Sequence, residues 1–403
     1  MRRVFFKYIV CTMFILLSMT SCRQFNMEDD THYTRTVMVY MAADNNLSYS
    51  TSSFARQDLD EMIGAAGDIP SNCRLIVYID DTKLPRILSI TQQEGRRPFA
   101  KMVHEYKTEH NSADAETLRS FVEWTTDNYP SKSYGLVLWS HGDAWMPSKS
   151  PAQRAVCLDS GASSWMEINE LADALEKCQQ MEFILFDACF MQCIEVAYEL
   201  RNTARYIIGS PAEIPAPGAP YHRIVKAMFT PSNNAQEIVE QYYQEYSEGK
   251  ITIPGYYDES YGVCLSAIDC QQLHSLAEAT RAMLSKYINT QSEIDLNDVQ
   301  RYYLHTTTSR PYMYDMNGYM RVLLTDEKDY RYWASTFDDA VLYRRSTTHW
   351  YCDGIGQEMV DMENYGGVSC YVPRNNPNRT KLNEAFRNTS WHDAAGWEVW
   401  YGH

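Results

Sequence analysis

The sequence lacks an excess of positive charge. Its 36 Lys and Arg residues stand against 52 Asp and Glu residues, and the formal net charge is −16. Because nucleic-acid phosphates are bound by basic surfaces, this balance argues against nucleic acid as a partner. The negative charge favours cationic substrates only weakly, since most of it belongs to solvated surface.

The pattern of a metal site is also missing. Cys189 and Cys193 are separated by three residues rather than by the two of a zinc or redox pair, and no second Cys or His cluster completes them. No D-x-D-x-D calcium loop occurs, so metal ligands stay unassigned. Nine cysteines follow Cys22. An odd number cannot pair fully within one chain, and we expect most of them to be buried thiols.

The N-terminus has the pattern of an export signal. Its apolar run YIVCTMFILLSM has twelve residues, which is too short to span a bilayer comfortably, and basic residues precede it. The following SMTSC resembles the lipobox of bacterial lipoproteins. We therefore expect a signal peptide over 1–21, a lipid on Cys22, a flexible tether over 22–33, and anchoring of the exported protein in the cell envelope. Met19 departs from the usual Leu, so cleavage without lipidation is the alternative.

Strand and helix patterns alternate through the first half of the chain. Short apolar runs such as TVMVYMA, LIVYI, GLVLW, FILF and YIIG are separated by amphipathic segments. This order predicts an α/β sandwich with a mostly parallel central sheet. One predicted helix, within 112–129, has Ser112 as its expected N-cap. We place a main domain at 34–250 and a more helical region at 251–403, whose runs GVCLSAID and GGVSCYVP join the main sheet or pair with each other.

Two reactive side chains follow strands of this sheet. His141 comes after GLVLW and Cys189 after FILFD, and the carboxyl ends of parallel strands are where catalytic groups collect. If the strands are neighbours, imidazole and thiol lie close enough to act together. A helix starting at Cys189 would lower the pKa of its thiol. A buried structural thiol and a structural histidine are the alternatives.

Several blocks together resemble the clostripain family of cysteine peptidases. They are TVMVYMAADNNL, LVLWSHGDAW, ILFDACFMQCIEVAYEL, IIGSPAEIPAPGAPY and GGVSCYVP, in this order. The resemblance implies a caspase-like fold, with His141 as the catalytic histidine and Cys189 as the nucleophile. It implies an oxyanion hole formed by the backbone N–H groups of Gly142 and Cys189.

The resemblance also bears on specificity and maturation. Asp187 matches the acid at the base of the S1 pocket of basic-specific members, and Glu213 is a further candidate for its lining. The segment 216–219, Ala-Pro-Gly-Ala, departs from relatives that carry another acid there. Self-cleavage is expected after Lys149 or Arg154, and calcium is a cofactor that the family often uses although none is required here.

The predicted function is hydrolysis of protein or peptide substrates through a Cys-His dyad and an acyl-enzyme, with cleavage after Arg or Lys. The rival hypothesis is a catalytically silent surface lipoprotein that kept the fold for binding, since the chain carries 30 tyrosines and tyrosine suits recognition surfaces.

Overall fold

The computed structural model describes residues 33–49, 53–93, 95–146, 156–249, 261–288, 294–302, 313–352 and 356–402. The strands are β1 (Tyr33–Ala42), β2 (Cys73–Asp80), β3 (Arg86–Thr91), β4 (Phe99–Glu105), β5 (Ser131–Trp139), β6 (Val156–Asp159), β7 (Ser164–Met166), β8 (Met181–Asp187), β9 (Ala204–Gly209), β10 (Cys264–Asp269), β11 (Arg301–Tyr302), β12 (Met313–Asp315), β13 (Val341–Ser346), β14 (His349–Cys352), β15 (Gly356–Met359) and β16 (Ser369–Tyr371).

The helices are α1 (Asn46–Tyr49), α2 (Phe54–Gly64), α3 (Ala115–Asn128), α4 (Ile168–Leu175), α5 (Ile194–Glu199), α6 (Tyr221–Met228), α7 (Asn234–Ser247), α8 (Leu273–Tyr287), α9 (Met316–Leu323), α10 (Glu327–Ala340), α11 (Thr380–Phe386) and α12 (Ser390–Ala395). Within the described ranges, none of these helices has the length and apolar character needed to cross a membrane.

A nine-stranded sheet forms the centre, in the order β13-β10-β9-β8-β5-β1-β2-β3-β4. The five middle strands, β9, β8, β5, β1 and β2, pair in parallel. On each flank two further strands, β10 and β13 or β3 and β4, are added by antiparallel pairing. The hydrophobic runs form the middle strands because both faces of a parallel sheet are covered. The predicted α/β architecture with a mostly parallel sheet is confirmed.

Side chains of the middle strands alternate between two apolar layers. In β1, Val37 and Val39 pack on one side, while Met38 and Tyr40 pack on the other. The first layer is covered by α2, α6 and α7, and the second by α3, α4, α5 and α8. Burial of both sheet faces leaves the strand ends as the places where polar side chains collect.

The C-terminal strands resolve a choice that the sequence left open. The run GVCLSAID contributes β10, which pairs antiparallel with β9 and so joins the main sheet. The run GGVSCYVP contributes β16, which pairs with β12 in a separate three-stranded sheet. The domain boundary placed near residue 250 stays a prediction, because 250–260 lie outside the described residues.

The expected cap of α3 was wrong. Asp114 is the N-cap, and its carboxylate accepts a hydrogen bond from the Glu116 N–H at 3.1 Å. Ser112 lies before the helix and is fully buried. Its N–H and hydroxyl both donate to the Asp159 carboxylate, at 2.8 and 3.2 Å. A tertiary contact with β6 therefore uses the side chain that the local pattern assigned to capping.

Candidate active site

The two candidate catalytic residues follow neighbouring strands. β5 and β8 pair in parallel, with Trp139 opposite Asp187. His141 and Cys189 each come two residues later, so both leave the sheet at the same edge. The condition set by the sequence argument, that the two strands be neighbours, is met. The intervening chain contains the hairpin β6–β7 as well as helix α4.

The thiol of Cys189 lies against the loop that follows β9. Its Sγ accepts a hydrogen bond from the Ile214 N–H at 3.3 Å and lies 3.8 Å from the Ile214 carbonyl oxygen. Burial raises the pKa of the Cys189 thiol to about 12; the Ile214 N–H opposes this rise, while the negative charges of Glu213, Asp143 and Asp187 add to it. The shift favours the neutral thiol over the thiolate.

The expectation that a helix N-terminus lowers the thiol pKa was wrong. Helix α5 begins at Ile194 with Cys193 as its N-cap, so Cys189 precedes the first turn by several residues. The dipole effect is confined to the first turn of a helix. Cys193 itself is fully buried in the core, as the sequence predicted.

The loop carrying Cys189 is fixed by backbone hydrogen bonds. The Phe190 N–H donates to the Ala212 carbonyl at 3.0 Å, and the Gln192 N–H donates to the Ser210 carbonyl at 3.0 Å. Phe190 has φ of 64°, in the left-handed region that costs a non-glycine residue free energy. The surrounding bonds hold this strained conformation, and with it the position of the preceding thiol.

Gly142 packs directly on the Cys189 backbone. A Cβ at Gly142 would lie 2.5 Å from the Cys189 carbonyl oxygen and 3.0 Å from the Ala188 Cβ, so only glycine fits. Gly142 also forms an antiparallel bridge with Val156, in which the Cys157 N–H donates to the His141 carbonyl at 3.2 Å. In this pairing pattern the Gly142 N–H points away from β6.

The imidazole of His141 contacts the loop after β1. Its Nε2 lies 2.7 Å from Oδ1 of Asn46, the first residue of α1. On another side, the rings of His141 and Trp165 have centroids 6.4 Å apart. Sequence reasoning missed Asn46, although its position after the buried β1 run is the same signal that singled out His141 and Cys189.

Asp187 is held by donors from the following loop and helix. The Ala219 N–H donates to its Oδ1 and the Tyr221 hydroxyl to its Oδ2, both at 3.0 Å. The residue is only 5% exposed. Burial raises its pKa to about 7 against the lowering effect of these two bonds, while Glu61 adds to the rise.

The segment that lacks an acid lies over this carboxylate. Gly218, at φ of +63°, brings its Cα so close that a Cβ would lie 3.0 Å from Asp187 Oδ1. The tight turn at 215–218 is closed by the Gly218 N–H donating to the Pro215 carbonyl at 2.8 Å. The chain here supplies the backbone N–H of Ala219 as a donor to Asp187.

Further charged groups lie behind Asp187. Asp58 in α2 accepts a 2.6 Å hydrogen bond from Trp139 Nε1, and burial followed by the nearby Asp187 charge raises its pKa well above the ordinary value. His222 lies 3.0 Å from Glu61 and 3.3 Å from Glu245. Its hydrogen bonds to Glu245 and Glu61 raise its pKa to about 9. No sequence pattern predicted this cluster, because α2 and α6 are far apart along the chain.

Glu213 is nearly buried, at 7% exposure, and precedes Ile214 at the thiol. β8 ends at Asp187, so the alternation of side chains along a strand does not extend from residue 187 to residue 189. Lys149 and Arg154 fall in 147–155, and Cys22 falls before residue 33; all three lie outside the described residues. Within the described part of the chain, no group of three or more His, Cys, Asp or Glu side chains is arranged to hold a metal.

Comparison with known proteins gives a consistent family. The profile of the clostripain family matches residues 39–400. Clostripain of Hathewaya histolytica is 29% identical over 220 residues, which cover 47% of this chain and 41% of clostripain. The match thus spans about two fifths of that relative's length.

Two solved structures resemble this one over most of both chains. A secreted C11 cysteine protease from Bacteroides thetaiotaomicron, in complex with an irreversible peptide inhibitor, is 32% identical with a TM-score of 0.79, covering 91% of this chain and 99% of that one. An inactive zymogen C11 protease from Parabacteroides distasonis is 31% identical with a TM-score of 0.75, covering 90% and 98%. The profile match and the shared architecture show that the chain belongs to the clostripain family of cysteine peptidases.

Proposed function

We propose that the protein is a cysteine endopeptidase in which Cys189 is the nucleophile and His141 moves the proton. The observation that carries the proposal is the adjacency of β5 and β8, which sends both residues from one sheet edge. Family membership supports it, and the fit of Gly142 against the Cys189 carbonyl supports the role of this strand edge in one site.

The neutral thiol sets the first chemical step. His141 takes the proton of the Cys189 thiol as Sγ attacks the peptide carbonyl carbon. The carbonyl oxygen becomes negative and is stabilised by the N–H groups of Gly142 and Cys189, and each such donor contributes a factor of about 10²–10³ in kcat. The protonated His141 then gives the proton to the departing amine, leaving a thioester.

Water completes the cycle. His141 accepts a proton from a water molecule that attacks the thioester carbonyl, and the thiolate leaves and recovers this proton. No third ionised residue takes part in this sequence. These steps are written with Cys189, His141, the two backbone N–H groups and water alone, and calcium stays a proposed cofactor.

We propose cleavage after Arg or Lys, with Asp187 as the acid that recognises the substrate cation and Glu213 beside it. Because the pKa of Asp187 is about 7, its carboxylate ionises near neutrality, so the preference for a basic residue should strengthen as pH rises. Peptides that differ only in Arg, citrulline or Leu before the scissile bond test this. Faster cleavage of the Leu peptide across pH 6–9 would refute the assignment.

The activity itself is tested with a matched pair of cysteine variants. Cys189→Ala should abolish peptide hydrolysis and labelling by an acyloxymethyl ketone. Cys178→Ala removes another partly exposed thiol, away from the site, and should leave both unchanged. Hydrolysis retained in Cys189→Ala would refute the mechanism. A wild-type protein that is neither labelled nor active would favour the rival hypothesis of a catalytically silent binding lipoprotein.

Maturation and location are further parts of the proposal. We infer self-cleavage after Lys149 or Arg154, which the description of one relative as a zymogen supports. Purified wild-type protein should then run as two fragments, Cys189→Ala as one, and the Lys149→Gln, Arg154→Gln double variant as one.

We also propose export, in keeping with the relative described as secreted, with a lipid on Cys22. Failure of Cys22→Ala to release the protein from membranes would rule out the anchor.

A further inference from the structure

Asn46 lies close enough to His141 to orient its imidazole ring by a hydrogen bond. It is an exposed residue at the start of α1, and its Oδ1 lies 2.7 Å from His141 Nε2. A side-chain amide oxygen only accepts hydrogen bonds, so this contact requires the proton to be on Nε2. The lone pair of the neutral imidazole is then on Nδ1, the nitrogen that must accept a proton in the reaction.

Hydrogen bonds of the preceding residue, Asn45, hold the loop that carries Asn46. Asn45 is fully buried, and its Nδ2 donates to the Ala42 carbonyl at 2.9 Å and to the Leu158 carbonyl at 3.0 Å. Its Oδ1 accepts from the Leu47 N–H at 3.0 Å. These bonds tie the start of α1 to the ends of β1 and β6.

The residue before His141 is held by hydrogen bonds to the same two backbone segments. The Ser140 hydroxyl donates to the Ala42 carbonyl at 2.8 Å and accepts from the Leu158 N–H at 3.0 Å. Asn45 and Ser140 thus both donate to the Ala42 carbonyl and both bond to the backbone of Leu158, one to its carbonyl and the other to its N–H. These bonds fix the relative positions of the residues that follow them, Asn46 and His141. The ring of Trp165 contacts the imidazole from another side.

A neutral partner suits the charge around the thiol. Glu213, Asp143 and Asp187 already place negative charge near Cys189. An amide oxygen orients the imidazole without adding to that charge, whereas a carboxylate would also favour the imidazolium form.

We propose that Asn46 is the positioning residue of His141, fixing by its 2.7 Å hydrogen bond the Nε2–H tautomer and the ring orientation that the Cys189 reaction needs. The role rests on the proposed peptidase function. Asn46 touches neither the thiol nor the scissile bond; it acts through His141.

Three variants test the role by steady-state kinetics on one peptide. Asn46→Ala should lower kcat by about 10–100-fold, the cost of a misoriented catalytic group, with KM changed less than about two-fold. Asn46→Asp keeps an accepting oxygen and should recover most of the loss when kcat is measured at a pH above the raised His141 pKa of that variant. Ser48→Ala removes a hydroxyl from the same helix without reaching His141 and should match the wild type. An unchanged kcat in Asn46→Ala, or no recovery in Asn46→Asp, would overturn the proposal.

A second readout does not depend on turnover. In the histidine NMR titration, the His141 signal is assigned by its loss in His141→Gln. A carboxylate in contact with Nε2 should raise the His141 pKa in Asn46→Asp by about one unit over wild type. An inert wild-type enzyme with this shift would refute the peptidase function and keep the Asn46 contact; an unshifted pKa would refute the contact, whatever the activity.

Discussion

Replacing Gly142 with alanine is the sharpest test of how the two strand ends fit together. The added Cβ would lie 2.5 Å from the Cys189 carbonyl oxygen, whereas ordinary contact begins at 3.4 Å. Relief therefore needs a displacement of about 0.9 Å in a loop that is bonded to its neighbours on both sides. The strained Phe190 backbone leaves that loop little freedom to move.

The expected effects follow from this displacement. Overpacking of this kind costs about 1–3 kcal/mol in the free energy of unfolding. A misplacement of about 1 Å at a reacting group costs about 10²-fold in rate, so kcat/KM for a peptide should fall by about that factor. Urea denaturation and initial-rate kinetics on the same preparation measure both quantities.

Gly64→Ala is the matched control. Gly64 ends helix α2 with helical φ, and a Cβ there would meet nothing within 4 Å. Alanine at this position should stabilise the fold by about 0.5–1 kcal/mol and leave kcat/KM unchanged. If Gly142→Ala behaved like Gly64→Ala, the packing of Gly142 against Cys189 would not be what holds the site.

Two further substitutions probe the charged groups behind the site. The pKa of His222 is raised to about 9 by Glu245 and Glu61, so its stabilising contribution is complete below pH 6.5 and is lost as pH rises through 9. His222→Gln should therefore lower the free energy of unfolding at pH 6 by about 1–2 kcal/mol, after discounting for a side chain that is 34% exposed; an equal loss at pH 10 would contradict this origin. Tyr221→Phe removes a donor that lowers the pKa of Asp187, so the preference for Arg over citrulline should appear at higher pH than in wild type. An unchanged pH profile would show that Asp187 does not set that preference.

The sequence predicted the position of the candidate catalytic pair because strand ends are visible as changes from apolar to polar residues. His141 and Cys189 each follow an apolar run, and parallel neighbours then place them at one edge. The same signal was present for Asn46, yet strands that are neighbours in a sheet need not be neighbours along the chain. The neighbour of β5 on its other side is β1, and only that arrangement brings Asn46 to the imidazole.

Local patterns failed where tertiary contacts decided the outcome. Ser112 has the side chain of an N-cap but bonds to Asp159 instead. The FDACF stretch looked like a strand running straight into a helix, whereas positive φ at Phe190 bends the chain and delays α5 until Ile194. Neither a side-chain contact from another element nor a strained φ at a non-glycine residue leaves a mark in the periodicity of a sequence.

Ionisation of the buried acids lowers the stability of the fold, whereas the proposed function of Asp187 requires its ionised form. Burial raises the pKa values of Asp58 and Asp187, so folding favours their neutral forms, and their contribution to stability falls as pH rises from about 4 through the folded pKa values. The loss of the His222 contribution at higher pH acts in the same direction. The proposed recognition of a substrate cation by Asp187 needs its ionised form, and a bound Arg or Lys would lower the pKa of that carboxyl. If Asp187 has the proposed role, binding of a basic substrate should therefore release protons below pH 7, because the substrate cation would lie opposite the Asp187 carboxylate.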